Sequence, residues 1–312
     1  MTVAVALGLA AAFAYGLGDF LGGLLARRMH FAVVAIIAGA ASLVVTLVVT
    51  LVGAVLIAPA DIAIEPVAWG AASGIGTAVG TLALYRGLSR GRMGVVAPLS
   101  AVGAAAIPVL LGVILGERPS LVAWVGVALA IPAIALVSMT EQDAQPASET
   151  AAAGSAAAAG SAAARDAPDT RAPRVPPGVF DGLLAGLGFA VLFVGLKLAG
   201  DGSGLWPVIA NQVAALVLFL VALIPIAGTL RGGAASRDVV GAVVVGLIGA
   251  GASVAYFLAT QAGLLSIVVV LTALYPAVTV VLAVLLTKES IGRLQAVGLA
   301  TAAVAVGLIA LG

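Results

Sequence analysis

Apolar residues run along this chain in blocks of about 20, the number a helix needs to cross the hydrocarbon core of a bilayer. Short polar or glycine-rich breaks separate them. Ten blocks can be read, at residues 3–25, 31–57, 67–87, 94–115, 120–138, 179–198, 205–228, 238–258, 264–286 and 291–311. Each predicts an α-helix, because backbone N–H and C=O groups in lipid must satisfy one another within the segment. The apolar–polar alternation of a membrane β-barrel is absent. Between the fifth and sixth blocks the pattern stops. Residues 139–178 are rich in Ala, Ser, Pro, Asp, Glu and Arg, include the run AAAGSAAAAGSAAA, and read as a flexible low-complexity linker.

The blocks on either side of that linker repeat each other. Gly74–Leu136 and Gly246–Leu308 align at an offset of 172 residues, which pairs Gly74 with Gly246, Gly91 with Gly263, Leu99 with Leu271, Glu117 with Glu289 and Gly126 with Gly298. Shared Gly and Glu positions carry more weight than shared Ala, Val or Leu, which coincide by chance in so apolar a chain. The expected fold is therefore an all-α membrane protein with ten transmembrane helices, in two five-helix repeats at residues 1–138 and 179–312. Five is odd, so the second repeat enters the membrane from the opposite side. Such inverted repeats supply two related conformations by exchanging roles, the geometry of alternating access.

Composition agrees. Hydrophobic residues make up 63% of the chain and charged ones 9%, too few to keep a surface wet. A net charge of +1 without a basic stripe argues against nucleic acid as a partner. With no cysteine there is no disulfide or thiolate site. The single histidine, His30, falls in a loop, and neither HExxH nor GxxxxGK[ST] occurs. No cofactor, metal site, enzyme activity or ATP-driven pumping is expected, which leaves gradients as the energy source. Met1–Ala12 lacks the charged n-region of a secretory signal and reads as the opening of the first span. Arg far outnumbers Lys amid abundant Ala and Gly, a composition pointing to a GC-rich bacterial genome and hence to a bacterial inner membrane.

Charge placement tests the count of spans. Of the fourteen basic residues, all but Arg118 and Lys197 lie in loops after odd-numbered blocks. Trp69, Trp124 and Trp206 all lie at the other side, where an amphipathic ring suits the headgroup boundary. The positive-inside rule makes the basic loops cytoplasmic and both termini external.

The segments LYRGLSRGRMGVVAPLSAVGAAAIPVLLGVILGERPS (84–120) and LTALYPAVTVVLAVLLTKESIG (271–292) resemble the EamA repeat of the drug/metabolite transporter superfamily. GLGDFLGGLLARR (16–28) resembles the first span of a bacterial branch of that family. The likeness lies in the order of features: a polar aromatic span, a short basic turn, a Pro-containing span, then a Glu. It implies a ten-helix bundle of two inverted halves around a cavity lined by the first, third, fourth, sixth, eighth and ninth spans. It implies transport of amino acids or related small solutes, often outward. It also implies cytoplasmic termini, opposite to the charge rule.

Asp19 is the acid set most clearly within a span, about 7 Å from the middle of the first helix at 1.5 Å per residue. Ionisable groups at such depth are costly and by default mark ion or substrate pathways. The related small multidrug exporters also use a first-helix acid, a Glu, for proton coupling, so the resemblance implies that role by location alone. The competing reading pairs Asp19 with Arg27 or Arg28. Lys197, late in the sixth span, is a candidate to face the same cavity, where the two charges would read the amine and carboxylate of a zwitterion. Pairing of Lys197 with Asp201, four residues on, is simpler.

Ser73, Thr77, Thr81 and Tyr85 form a polar stripe at helical spacing in the third span, and Ser253, Tyr256 and Thr260 occupy the corresponding region of the eighth. Hydroxyls in spans commonly bond between helices at about 0.6 kcal/mol each. Packing is thus the plain reading of Ser and Thr, whereas Tyr85 and Tyr256 are cavity candidates whose hydroxyls need partners. Asn211 and Gln212, adjacent amides in the seventh span, must face protein or water. Ser42, Thr46 and Thr50 read as helix packing. Pro98, Pro108 and Pro276 bend their helices, and Tyr275 sits beside the carbonyl that Pro276 frees. Glycines four apart, such as Gly70 with Gly74 and Gly76 with Gly80, permit close helix contact. Glu117 and Glu289 read as loop caps or as partners of Arg118 and Lys288. The expected function is a secondary exporter of a small metabolite, exchanging it for protons at Asp19, with a homodimer left open. A multidrug or cationic compound efflux carrier is one alternative, and a channel or non-transporting membrane scaffold is another.

Overall fold

The computed structural model describes residues 2–26, 28–56, 62–89, 93–138, 178–225, 235–287 and 292–311. The linker predicted at 139–178 lies outside them apart from Gly178. The helices are α1 (Thr2–Ala26), α2 (Phe31–Leu56), α3 (Ile64–Ser89), α4 (Met93–Ile114), α5 (Leu121–Ser138), α6 (Val179–Leu198), α7 (Trp206–Leu223), α8 (Ser236–Ala262), α9 (Leu265–Thr272), α10 (Tyr275–Leu282) and α11 (Arg293–Leu311). No strand occurs among the described residues.

Among the described residues eight stretches are long and apolar enough to cross a bilayer. The ten blocks are helical where described, and α4 and α5, at 22 and 18 residues, are apolar helices as well. Pro119, just ahead of α5, removes an N–H donor and discourages extension of that helix upstream. The predicted ninth span is one apolar stretch, Leu265–Leu286, that breaks inside. α9 ends in a turn at Ala273 and Leu274, α10 restarts at Tyr275, and a π-helical turn, Ala283–Thr287, follows. Pro276 causes the break: it has no N–H to continue α9, and its ring crowds the carbonyl one turn back.

Packing is between halves, and it is pseudo-symmetric. A Cβ added at Gly74 on α3 would strike the Asn211 carbonyl and lie 2.8 Å from the Ala214 methyl on α7. One added at Gly246 on α8 would strike the Ala38 carbonyl and lie 2.8 Å from the Ala41 methyl on α2. Gly126 on α5 meets Ile309 and Ala305 of α11, while Gly298 on α11 meets Val137 and Leu136 of α5. Gly8 on α1 meets Leu271 and Val268, as Gly182 on α6 meets Leu99 and Val96. Every contact has its counterpart when the halves are exchanged. Between α5 and α11 the register rises on one helix as it falls on the other, so these equivalent helices run antiparallel. A two-fold axis relating antiparallel equivalents makes the repeats inverted, as the odd number of blocks predicts.

Glycine is required at these crossings because backbone meets backbone. At Gly188 on α6 a Cβ would sit 2.5 Å from the Gly80 nitrogen of α3. In lipid such close approach supplies dispersion contacts in place of a hydrophobic drive. The outer surface is correspondingly apolar: Val44, Val48, Val55, Leu121 and Leu311 are exposed, and a belt of this kind suits acyl chains rather than water.

Candidate functional site

A cavity of about 160 Å³ lies where α1, α3, α6, α7, α8 and α10 converge. α1 contributes Tyr15 and Asp19, one turn apart on one face. α3 contributes Thr77, Thr81 and Leu84; α6 contributes Phe189, Leu192 and Phe193; Asn211, Ser253 and Tyr275 complete it. With Gly8 superposed on Gly182, Tyr15 is equivalent to Phe189 and Asp19 to Phe193, while the repeat offset makes Thr81 equivalent to Ser253. Both members of all three pairs line the cavity, which therefore straddles the pseudo-two-fold axis. The chemistry across that axis is unequal. One wall carries a carboxylate and a phenol where the other carries two phenyl rings.

The polar groups are held from outside the cavity as well as within it. Tyr15 Oη and Ser253 Oγ lie 3.3 Å apart and share a hydrogen bond between α1 and α8. The Tyr15 ring meets Phe193 edge-on at a centroid distance of 6.4 Å. Asn211 donates from Nδ2 to Ser73 Oγ at 2.7 Å and to Thr77 Oγ1 at 3.0 Å, which joins α7 to α3. The side chain of Tyr275 is hydrogen-bonded to that of Ser100 on α4. Asp19 is half-buried at the cavity wall.

The remaining predicted site residues go elsewhere. Gln212 points to a different neighbour than Asn211, because adjacent helix positions diverge by about 100°. It donates from Nε2 to Ser42 Oγ at 2.9 Å and Thr46 Oγ1 at 3.0 Å and so ties α7 to α2. Tyr256 is fully buried behind the cavity, where its hydroxyl donates to the Phe193 carbonyl at 2.8 Å and its ring packs on Phe193 at 4.7 Å. Tyr85 belongs to α3, but its side chain lies outside the described residues. Lys197 lies away from the cavity. Its Nζ donates to the Thr260 carbonyl at 2.6 Å and the Gly263 carbonyl at 3.2 Å, which caps the C-terminus of α8. A cation there satisfies terminal carbonyls and complements the helix dipole. The zwitterion site built from Asp19 and Lys197 is therefore absent, and Asp201 is not the partner that holds the ammonium in place.

Glu117 acts on the same junction from the other half. Its carboxylate accepts from Leu265 N–H at 2.5 Å and Ser266 N–H at 2.9 Å, which caps α9. Glu289, its repeat partner, lies outside the described residues. Glu117→Ala frees both N–H groups and is expected to lower stability by about 1–2 kcal/mol, whereas Glu117→Gln keeps acceptor oxygen and loses less. Thermal unfolding in detergent checks this, and an unchanged Tm for Glu117→Ala would show the cap to be dispensable. At the opposite end of the bundle Arg86 bonds Asp181 from Nε at 2.8 Å and Nη2 at 2.5 Å, and Arg28 pairs with Asp238 at 3.5 Å.

Sequence reasoning missed Tyr15, Leu84, Phe189, Leu192 and Phe193. Tyr15 was detectable, since it stands four residues before Asp19 on one helical face. The phenylalanines look like ordinary span residues until the repeat superposition sets them opposite Tyr15 and Asp19. Among the described residues no α4 side chain lines the cavity and α7 supplies one, which differs from the set of spans that the family resemblance implies.

A bundle of long apolar helices, folded as two inverted halves about a cavity on their shared axis, defines a multi-pass membrane protein. Residues 176–311, the second half of the chain, match the EamA-like transporter family. A solved structure described only as "Crystal structure of protein" is similar to this chain over 99% of its length and 98% of that protein's, with a TM-score of 0.72 at 14% identity. Likeness at that identity shows the fold alone. No curated protein matches the chain.

Proposed function

We propose that the protein is a secondary carrier that exports a small solute by alternating access, in exchange for protons taken up at Asp19. The observation that carries this reading is the position of the cavity on the pseudo-two-fold axis, with equivalent residues of both repeats in its wall. Exchanging the conformations of the two repeats would expose the same cavity to the opposite side. The reading takes residues 1–138 and 179–312 as the two repeats and all ten blocks as crossing helices. α4 and α5, at 22 and 18 residues, support that count, as do their symmetry partners, Leu265–Leu286 and α11, which are both of spanning length. Basic loops facing the cytoplasm of a bacterial cell complete it.

The test is counterflow in proteoliposomes. Vesicles preloaded with an unlabelled amino acid or amine are expected to accumulate the labelled form transiently and saturably. Continuous, unsaturable conduction across planar bilayers would instead mark a channel, and neither behaviour across the panel would mark a scaffold.

A further inference from the structure

With Lys197 committed to the end of α8, Asp19 is the only charged residue in the cavity wall among the described residues. Among the described residues Arg86 bonds Asp181 and Arg28 pairs with Asp238, both toward the loop ends of their helices. The polar neighbours do not replace the missing cation. Asn211 turns its amide donors to Ser73 and Thr77, which leaves Oδ1, an acceptor. Tyr15 and Ser253 share one hydrogen bond, and Tyr275 is engaged by Ser100. What the wall offers a ligand is thus a carboxylate, an amide oxygen, the hydroxyls of Thr81, Tyr15 and Ser253, and aromatic rings, with no cation among the described residues.

An anion, or the carboxylate of a zwitterion, would meet Asp19 with no cation among the described wall residues to offset the repulsion. An ammonium finds its counter-charge there, and the ring faces of Tyr15, Phe193 and Tyr275 attract it as well. Across the axis, Phe189, Leu192 and Phe193 form an apolar wall for the rest of the molecule. The volume of about 160 Å³ accommodates a single ring or short chain.

Resting on the carrier reading above, we propose that the cavity binds small organic monocations, with the ammonium at Asp19 and an apolar or aromatic body against Phe189 and Phe193, and rejects zwitterions and anions. This sets the solute apart from the amino acids that the family resemblance implies.

Phenethylamine, phenylalanine and hydrocinnamate present the same phenyl-bearing chain as a cation, a zwitterion and an anion. Their binding to the purified full-length protein is measured by titration calorimetry at neutral pH. Phenethylamine is expected to bind at least about tenfold more tightly than either of the others, a factor that corresponds to about 1.4 kcal/mol. Asp19→Asn is expected to lose that preference. Phe193→Leu, which keeps an apolar wall but removes a ring, is expected to weaken phenethylamine a few-fold. The ranking by charge is read on the native protein, so it holds as a test even where Asp19→Asn fails to fold. Equal or tighter binding of phenylalanine or hydrocinnamate, no binding of phenethylamine, or an unchanged preference in folded Asp19→Asn overturns the proposal. Counterflow of phenylalanine without phenethylamine would overturn the cation assignment and leave the carrier intact. Steady conduction would remove the carrier reading while the binding order stood.

Discussion

Proteoliposomes carrying Asp19→Asn are expected to lose solute flux driven by a pH gradient. Asn keeps the size and hydrogen-bonding shape of Asp but can neither release nor accept a proton, and among the described residues Asp19 is the only carboxylate in the cavity wall. Losing the charge partner of a desolvated ammonium costs about 2–5 kcal/mol, so phenethylamine affinity should fall about thirtyfold or more, at about 1.4 kcal/mol per decade. The sign of the pH dependence follows from the carboxyl itself. Protonation removes the charge that holds the ligand, so cation binding weakens as pH is lowered through the titration of Asp19 and strengthens as it is raised. Among the described residues the other titratable groups in the wall are Tyr15 and Tyr275, from α1 and α10. In Asp19→Asn the pH profile should be flat. Asp19→Glu retains exchange but displaces the carboxyl by one methylene, and is expected to keep coupling at reduced rate. Gradient-driven flux at native levels in Asp19→Asn would rule out proton exchange through this residue and leave solute carriage standing.

Gly74→Leu and Gly246→Leu are expected to abolish the folded protein, each through the same contact in opposite halves. At either position the first carbon added would already strike a backbone carbonyl on the facing helix, of Asn211 or Ala38, with a methyl 2.8 Å away. Backbone cannot rotate aside as a side chain can, so the helices must separate. Overpacking of this kind costs about 1–3 kcal/mol for small additions and more for large ones. Gly74→Ala and Gly246→Ala are therefore expected to lower stability by about 3 kcal/mol, and the Leu variants to yield no monodisperse protein by size-exclusion chromatography. Gly53→Ala and Gly251→Ala, with nothing within 4 Å of the added carbon, serve as controls and should behave as the native chain. Equal losses at partner positions would express the pseudo-symmetry as energy. A native elution profile for Gly74→Leu would contradict the close crossing of α3 and α7.

Much of this was legible along the chain, because the signals concerned are one-dimensional. A run of apolar residues in lipid has few alternatives to a helix, since its backbone must bond internally. A repeat with an odd number of helices must invert. The break near Pro276 is only partly local: its missing N–H and its ring favour a break, but Pro108 and Pro132 sit within the unbroken α4 and α5. Asp19 stood out because charge at such depth is costly enough to need a reason.

Other assignments depended on neighbours that the sequence does not reveal. Asn211 and Gln212 are adjacent and chemically alike, yet one lines the cavity beside α3 and the other binds α2. Tyr85, Tyr256 and Tyr275 were indistinguishable as buried phenols. The fold sends Tyr275 into the cavity and puts Tyr256 behind it on the Phe193 carbonyl. Lys197 lies one turn beyond the repeat equivalent of Asp19, close enough in sequence to suggest a shared site, but α8 ends beside it and its carbonyls take the ammonium.

The sequence by itself determined the solvent, the helical blocks, their inverted duplication and the acid within the first of them, because each follows from the cost of exposing backbone or charge to hydrocarbon. Only the tertiary structure decided which polar groups face a common space and which merely hold helices together. That choice rests on where glycines let two backbones touch, which fixes how each helix is rotated about its own axis, and a single strand of letters does not record that rotation.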